Sequence, residues 1–229
     1  MTAIMERLEK DDCSLIMNNC VKKKMKKGET VFKEGSTADY LYFIQSGEIR
    51  IFKNIGPGKE LNIFTRREND AFGELGIFGG DRYSNTAIAS TFTSVFCVGR
   101  EKMEQIISQN GRIGLHFTRW VAESLEESKA KMRDYLAFGS EGAVASVFIR
   151  YSNMYGIVTP EGIRIKRQIQ LSDVGKHIGI SRETVSRIVN KWKEEGIMTS
   201  ENKFFLIMQP DHLRNLLGCE YCVVENCIL

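Results

Sequence analysis

The sequence predicts an α+β chain: a small β-roll, one long helix after it, and a helical part that ends in a helix-turn-helix with a two-stranded wing. Three observations carry this. Residues 30–98 read as short strands broken by Gly35, Gly47, the Gly56-Pro57-Gly58 turn and Gly73. Ile113, Phe117, Val121, Leu125, Ser128, Met132 and Tyr135 or Leu136 then recur every three or four residues, the period of a helix. Further on, Leu171, Val174, Ile178, Ile180, Val185, Ile188, Val189 and Trp192 fall in two helical bursts interrupted at Gly179-Ile180.

The 229 residues, 42% apolar and 27% charged, are enough for two folded domains. No stretch of about 18 apolar residues occurs, and the start, MTAIMERLEKDD, lacks the apolar run of a signal peptide; a cytoplasmic protein with no membrane partner is expected. A net charge of only +3 means that any nucleic-acid surface must be a local patch. Six cysteines in a reducing compartment point to metal or redox chemistry rather than disulfides.

Taken in order, residues 1–20 read as a short amphipathic helix with Ile4, Leu8, Leu15 and Ile16 apolar, followed by the basic run VKKKMKKGE as a connection or strand. In the β-roll, Tyr40, Tyr42 and Ile44 alternate with their neighbours as in half-buried strands, and AFGELGIFGG continues the strand pattern. The three histidines, His116, His177 and His212, all lie outside this region, which removes the usual imidazole-metal barrel enzyme; no enzymatic activity is expected. A helix of about 25 residues spans some 37 Å, more than one domain needs, so the long helix is expected to form a dimer seam rather than merely to span two domains. Gly139-Ser140-Glu141-Gly142 is the expected hinge, followed by a helix over 143–155, a β excursion near 163–168, the helix-turn-helix, a hairpin turning at Glu201-Asn202, and a last short helix from Pro210. The parts are therefore 1–110 (helix and β-roll), 111–139 (dimerisation helix), 140–210 (winged helix) and 211–229 (cysteine-containing tail).

Within the helix-turn-helix, Gly179 supplies the turn and Ser181 sits where a side-chain oxygen caps the second helix, with Thr184 beside it. Arg182, Glu183, Ser186 and Arg187 then form a polar face at the start of that helix. These are groups that read base edges from the major groove, arginine to guanine and glutamate from cytosine.

This order of parts, with GELGIF at 73–78 and SRETVSRIV at 181–189, resembles the CRP/FNR family of bacterial transcription regulators over essentially the whole chain. The resemblance implies a cyclic-nucleotide-binding-like jelly roll for the β-roll, a homodimer, double-stranded DNA with a palindromic site as partner, and RNA polymerase as a further candidate partner. Arg182-Glu183 matches the CRP pair and Ser186 is FNR-like, so a TGTGA-like half-site is expected over a TTGAT-like one. In cAMP-binding members an Arg-Ser pair follows GELG at a fixed distance. Here those positions are Ser84 and Asn85, with Arg82 two residues early, so no charge-assisted fork for a cyclic phosphate is expected and cAMP is not an expected effector.

The tail, GCEYCVVENC, carries Cys219, Cys222 and Cys227 in a Cys-x2-Cys-x4-Cys spacing that suits an iron–sulfur centre. It resembles the FNR regulators of bacilli, in which the fourth ligand of a 4Fe–4S cluster is an aspartate near the end of the dimerisation helix. Carried over through KMRDYLAFG, that ligand is Asp134; the plain alternative is a solvated helix carboxylate three residues from Lys131. A rival set, of the enterobacterial type, would use Cys97 with Cys13 and Cys20, but is one cysteine short; Cys97 otherwise reads as a small buried hydrophobe. The expectation is an oxygen- or redox-responsive regulator. Its alternatives are a response to a small molecule in the β-roll, a response to thiol oxidation, or constitutive activity.

Overall fold

The computed structural model describes residues 3–222 and 227–229; the tail positions 223–226, part of the expected cysteine segment, lie outside the described residues. The chain forms two units, Met1–Ser124 and Leu125–Leu229.

The first unit begins with α1 (Ile4–Arg7) and α2 (Lys10–Met17), then β1 (Val21–Met25), β2 (Thr30–Phe32), β3 (Tyr40–Ser46), β4 (Glu48–Gly56), β5 (Lys59–Arg67), β6 (Ala71–Phe72), α3 (Glu74–Gly79), β7 (Thr86–Ala89), β8 (Thr93–Gly99), α4 (Arg100–Gln109) and α5 (Gly111–Ala137), which runs on into the second unit. Two four-stranded sheets, β1-β8-β3-β6 and β2-β7-β4-β5, make the β-roll. The basic run is thus an edge strand. Charged edge strands resist pairing with other chains.

Several expectations change here. The N-terminal helix is two short helices, and Leu15 is exposed while Ile4, Leu8 and Ile16 are buried. Strand β3 is not half-buried: Tyr42 and Ile44 enter the roll interior while Leu41 and Phe43 enter a second core. That second core is lined by Ile4, Ile16, Met103, Ile106, Ile113, Phe117 and Trp120, so helices cover the face that alternation assigned to water. GELGIF is not strand; Gly73 adopts a left-handed conformation and starts α3. The stripe of α5 also divides. Ile113 and Phe117 are buried, whereas Leu125, Met132 and Leu136 are exposed and the charged Glu127 and Lys131 are buried.

The second unit adds α6 (Gly139–Tyr155), β9 (Gly156–Thr159), β10 (Gly162–Ile165), α7 (Leu171–Ile178), α8 (Arg182–Glu194), β11 (Met198–Glu201), β12 (Phe204–Ile207), α9 (Pro210–Asn215) and a 3-10 turn at Cys219–Tyr221. Residues 139–142, expected as a hinge, are the first turn of α6, and the break from α5 narrows to Phe138, with Gly139 after it at positive φ. The sheet order β11-β12-β10-β9 joins the wing to the earlier β excursion. Its hairpin turns at Asn202-Lys203, both at positive φ, one residue later than expected. Val144, Val147, Phe148, Val174, Val185, Val189, Trp192 and Phe205 form the core, and Leu229 returns to it.

Candidate nucleic-acid interface and a cysteine-lined cleft

Helices α7 and α8 meet over Val174, Val185, Ile188, Val189 and Trp192. Their close approach depends on small residues: a Cβ on Gly175 would stand 2.5 Å from the Ile180 carbonyl oxygen, and Gly179 turns the chain at φ +72°. Ser181 caps α8, its Oγ accepting from the Thr184 amide at 3.2 Å. Glu183 is held below the usual carboxylate range, first by its own backbone amide at the helix start and then by the Ser181 hydroxyl. Arg182, Glu183, Ser186 and Arg187 face solvent on one concave surface together with Asn190. Asn190 is not among the candidate residues above, yet it continues the 182, 186, 190 row, and i+4 spacing is the signal that finds it. The far end of α8 is tied down: Glu141 of α6 accepts from Lys191 Nζ at 3.0 Å and from Trp192 Nε1 at 2.9 Å.

The cysteine tail folds back on the second unit, with Asn153 Nδ2 donating to the Cys227 carbonyl at 2.8 Å. Cys219, Cys222, Cys227 and Asp134 line one cleft of about 480 Å³. Asp134 is not a solvated helix carboxylate: it is 3% exposed, and its partners are not Lys131 but Arg133, Ser146 and Arg150. Oδ1 accepts from Arg133 Nε and Nη2 at 3.1 and 2.8 Å; Oδ2 accepts from Ser146 Oγ and Arg150 Nη2, both at 2.8 Å. Burial, followed by the nearby carboxylate and thiols, pushes the Cys219 thiol up. Burial also raises Cys227, although Arg150 acts against it.

Among the described residues no three His, Cys, Asp or Glu side chains stand close enough together to hold a metal ion. The donor set nonetheless fits a soft metal centre in kind. Three thiols and one carboxylate border a single cleft, and the buried Arg150 guanidinium beside them can offset the negative charge that ligation brings.

The rival cysteines are engaged elsewhere. Cys97 is buried in β8 and donates to the Val21 carbonyl at 3.3 Å, Cys20 donates to Ile16 O at 3.3 Å, and Cys13 faces Met5 O. Burial, with Cys97 near it, pushes Cys20 up to about 12.

In the β-roll, the space beside GELG and Ser84-Asn85 is about 20 Å³. Phe32 and Tyr83 stack across it with ring centroids 3.7 Å apart. Arg82 points away and donates to the Gly35 carbonyl at 2.7 Å. Glu74 is buried, and desolvation raises its carboxyl against the pull of Arg66.

A β-roll carrying a long helix, followed by a winged helix with an exposed polar face on its second helix, is the architecture of a DNA-binding regulator. Comparisons with known proteins agree. The cyclic nucleotide-binding domain family matches residues 22–110 and the Crp-like helix-turn-helix domain family matches residues 143–216. The anaerobic regulatory protein of Bacillus subtilis is 32% identical over 222 residues, covering 96% of this chain and 93% of that one. A CRP-like cAMP-activated global transcriptional regulator of Mycobacterium tuberculosis is 28% identical, covering 82% of this chain and 84% of that one. In fold, the chain is similar to a CooA mutant from Carboxydothermus hydrogenoformans, with a TM-score of 0.79 at 15% identity over 94% of this chain and 96% of that one. It is also similar to the regulator CLP of Xanthomonas campestris, with a TM-score of 0.76 at 17% identity over 87% of this chain and 99% of that one. The chain belongs to the CRP/FNR family of DNA-binding transcription regulators.

Proposed function

We propose that this regulator is a cytoplasmic homodimer that responds to oxygen or redox state through a 4Fe–4S cluster held by Cys219, Cys222, Cys227 and Asp134. The observation that carries the reading is the single cleft that collects these four side chains from α5 and the tail. The name of the Bacillus subtilis relative, an anaerobic regulatory protein, supports the same reading. When bound, such a centre supplies oxygen-labile, redox-active chemistry. The chain's own residues do the rest: Asp134, through Arg150 and Ser146, joins the end of α5 to α6, and the side chains of Arg150 and Asn153 donate to the Ile228 and Cys227 carbonyls.

The DNA surface is assigned to Arg182, Glu183, Ser186 and Arg187, with Ser181 and Thr184 at the cap, reading a palindromic TGTGA-like site. RNA polymerase is a further candidate partner. Exposed Leu125, Met132 and Leu136 supply the dimer seam, and the proposed parts are 1–110, 111–139, 140–210 and 211–229. cAMP is not an effector in this reading, because Ser84 and Asn85 stand where the cAMP-binding members carry the Arg-Ser pair. No membrane partner is proposed, and no helix among the described residues is long and apolar enough to cross one.

Anaerobic loading with iron and sulfide tests the centre. Visible thiolate-to-iron absorption is expected, bleaching in air and absent from Cys222→Ser. A colourless wild-type protein after loading would sink the cluster assignment.

A further inference from the structure

In the cleft, the Asp134 carboxylate accepts four hydrogen bonds, two at each oxygen. Those bonds fill the carboxylate's ordinary acceptor capacity, so a metal can reach it only by replacing a donor. The two guanidiniums are not equally able to leave. Arg150 is 1% exposed and is also held by Ser146 and by the Ile228 carbonyl, so its departure would strand several buried groups. Arg133 is 35% exposed, and the Phe138 ring lies 5.7 Å from its guanidinium as a second seat. Cys222 borders the same cleft as the Arg133 group that forks onto Oδ1.

We propose that Arg133 is the internal cation of this site: its guanidinium holds Asp134 when metal is absent, and a metal ion enters by displacing it. This rests on the reading of Cys219, Cys222, Cys227 and Asp134 as one ligand set. A positive charge hydrogen-bonded to one of the ligands opposes an incoming cation and must swing aside, while Arg150 stays to neutralise the loaded site. Arg133 is thus a positioning residue that sets how tightly the cleft takes metal.

The reduced full-length protein, freed of metal, is titrated with Co²⁺ under anaerobic conditions in competition with a chelator, following thiolate-to-cobalt absorption. Wild type is compared with Arg133→Gln, which removes the charge, and Arg133→Lys, which keeps the charge but loses the fork. Arg133→Gln is expected to bind Co²⁺ about tenfold more tightly, roughly 1.4 kcal/mol, with Arg133→Lys between it and wild type. Equal or weaker binding by Arg133→Gln, with the thiolate band intact, overturns the displacement and leaves the ligand set standing. No thiolate band in any of the three proteins overturns the ligand set and the displacement together.

Discussion

Arg150 Nη2 stands 2.8 Å from Asp134 Oδ2, with the two side chains 1% and 5% exposed, so the end of α5 is joined to α6 by a buried ion pair. Such a pair adds little over a well-packed apolar one, but breaking it from one side is costly because the other charge stays buried. Arg150→Met is therefore expected to destabilise the protein by about 3 kcal/mol, the low end of the range because Arg133 and Ser146 still contact Asp134. Urea unfolding measures this, and the double variant Arg150→Met, Asp134→Leu should recover part of the loss. A midpoint unchanged in the single variant would mean that the pair is not a structural tie.

The Arg182 fork is suited to guanine O6 and N7. Arg182→Ala should cost about 1 to 3 kcal/mol on the preferred half-site and relax preference at one base pair. Lys203→Ala, at the wing tip, is expected instead to weaken all sequences alike and to flatten the salt dependence. Binding titrations on a set of half-site variants separate the two. Retained base preference in Arg182→Ala would show that another residue makes that contact.

Glu141 links the start of α6 to the recognition helix. Partial burial disfavours its charge, but the Lys191 ammonium and the Trp192 indole N–H outweigh burial and hold the carboxyl below its usual range. Because the folded value is depressed, the contribution to stability is present above the unfolded value of about 4.3 and is lost as pH falls through the lower folded value. The indole N–H resonance of Trp192 is expected to shift in that acid window, and the step should vanish in Glu141→Gln. A midpoint at or above about 4.3 would contradict the charge-assisted contact.

Leu125, Met132 and Leu136 are 55%, 60% and 78% exposed, at spacings of seven and four residues along α5. A carboxylate at the last of these should be excluded from an apolar seam. Leu136→Asp is expected to shift sedimentation toward monomer at micromolar concentration and to weaken binding to a full palindrome more than to an isolated half-site. A dimer of unchanged strength would place the seam elsewhere.

Local signals made the DNA-reading element legible. The apolar period of α7 and α8, the left-handed Gly179 and the Ser181 cap are each set by neighbours within a few residues, and all stand where the sequence put them. The β-roll strands were legible as strands, but not their burial, because alternation cannot tell that α4, α5 and the N-terminal helices would cover the outer face of β3. GELGIF misled for a related reason: a short apolar run suits strand or helix equally, and the left-handed Gly73 decides for a helix start.

By itself, the sequence determined the order of parts, the recognition helix with its polar face, and the three tail cysteines. Only the tertiary structure decided that Asp134 is buried, that Arg133, Ser146 and Arg150 saturate its carboxylate, and that the tail cysteines border the same cleft. The physical reason is range. Helix period, caps and turns depend on contacts a few residues apart, whereas the surroundings of Asp134 are built from α6, sixteen residues on at Arg150, and from a tail more than eighty residues away.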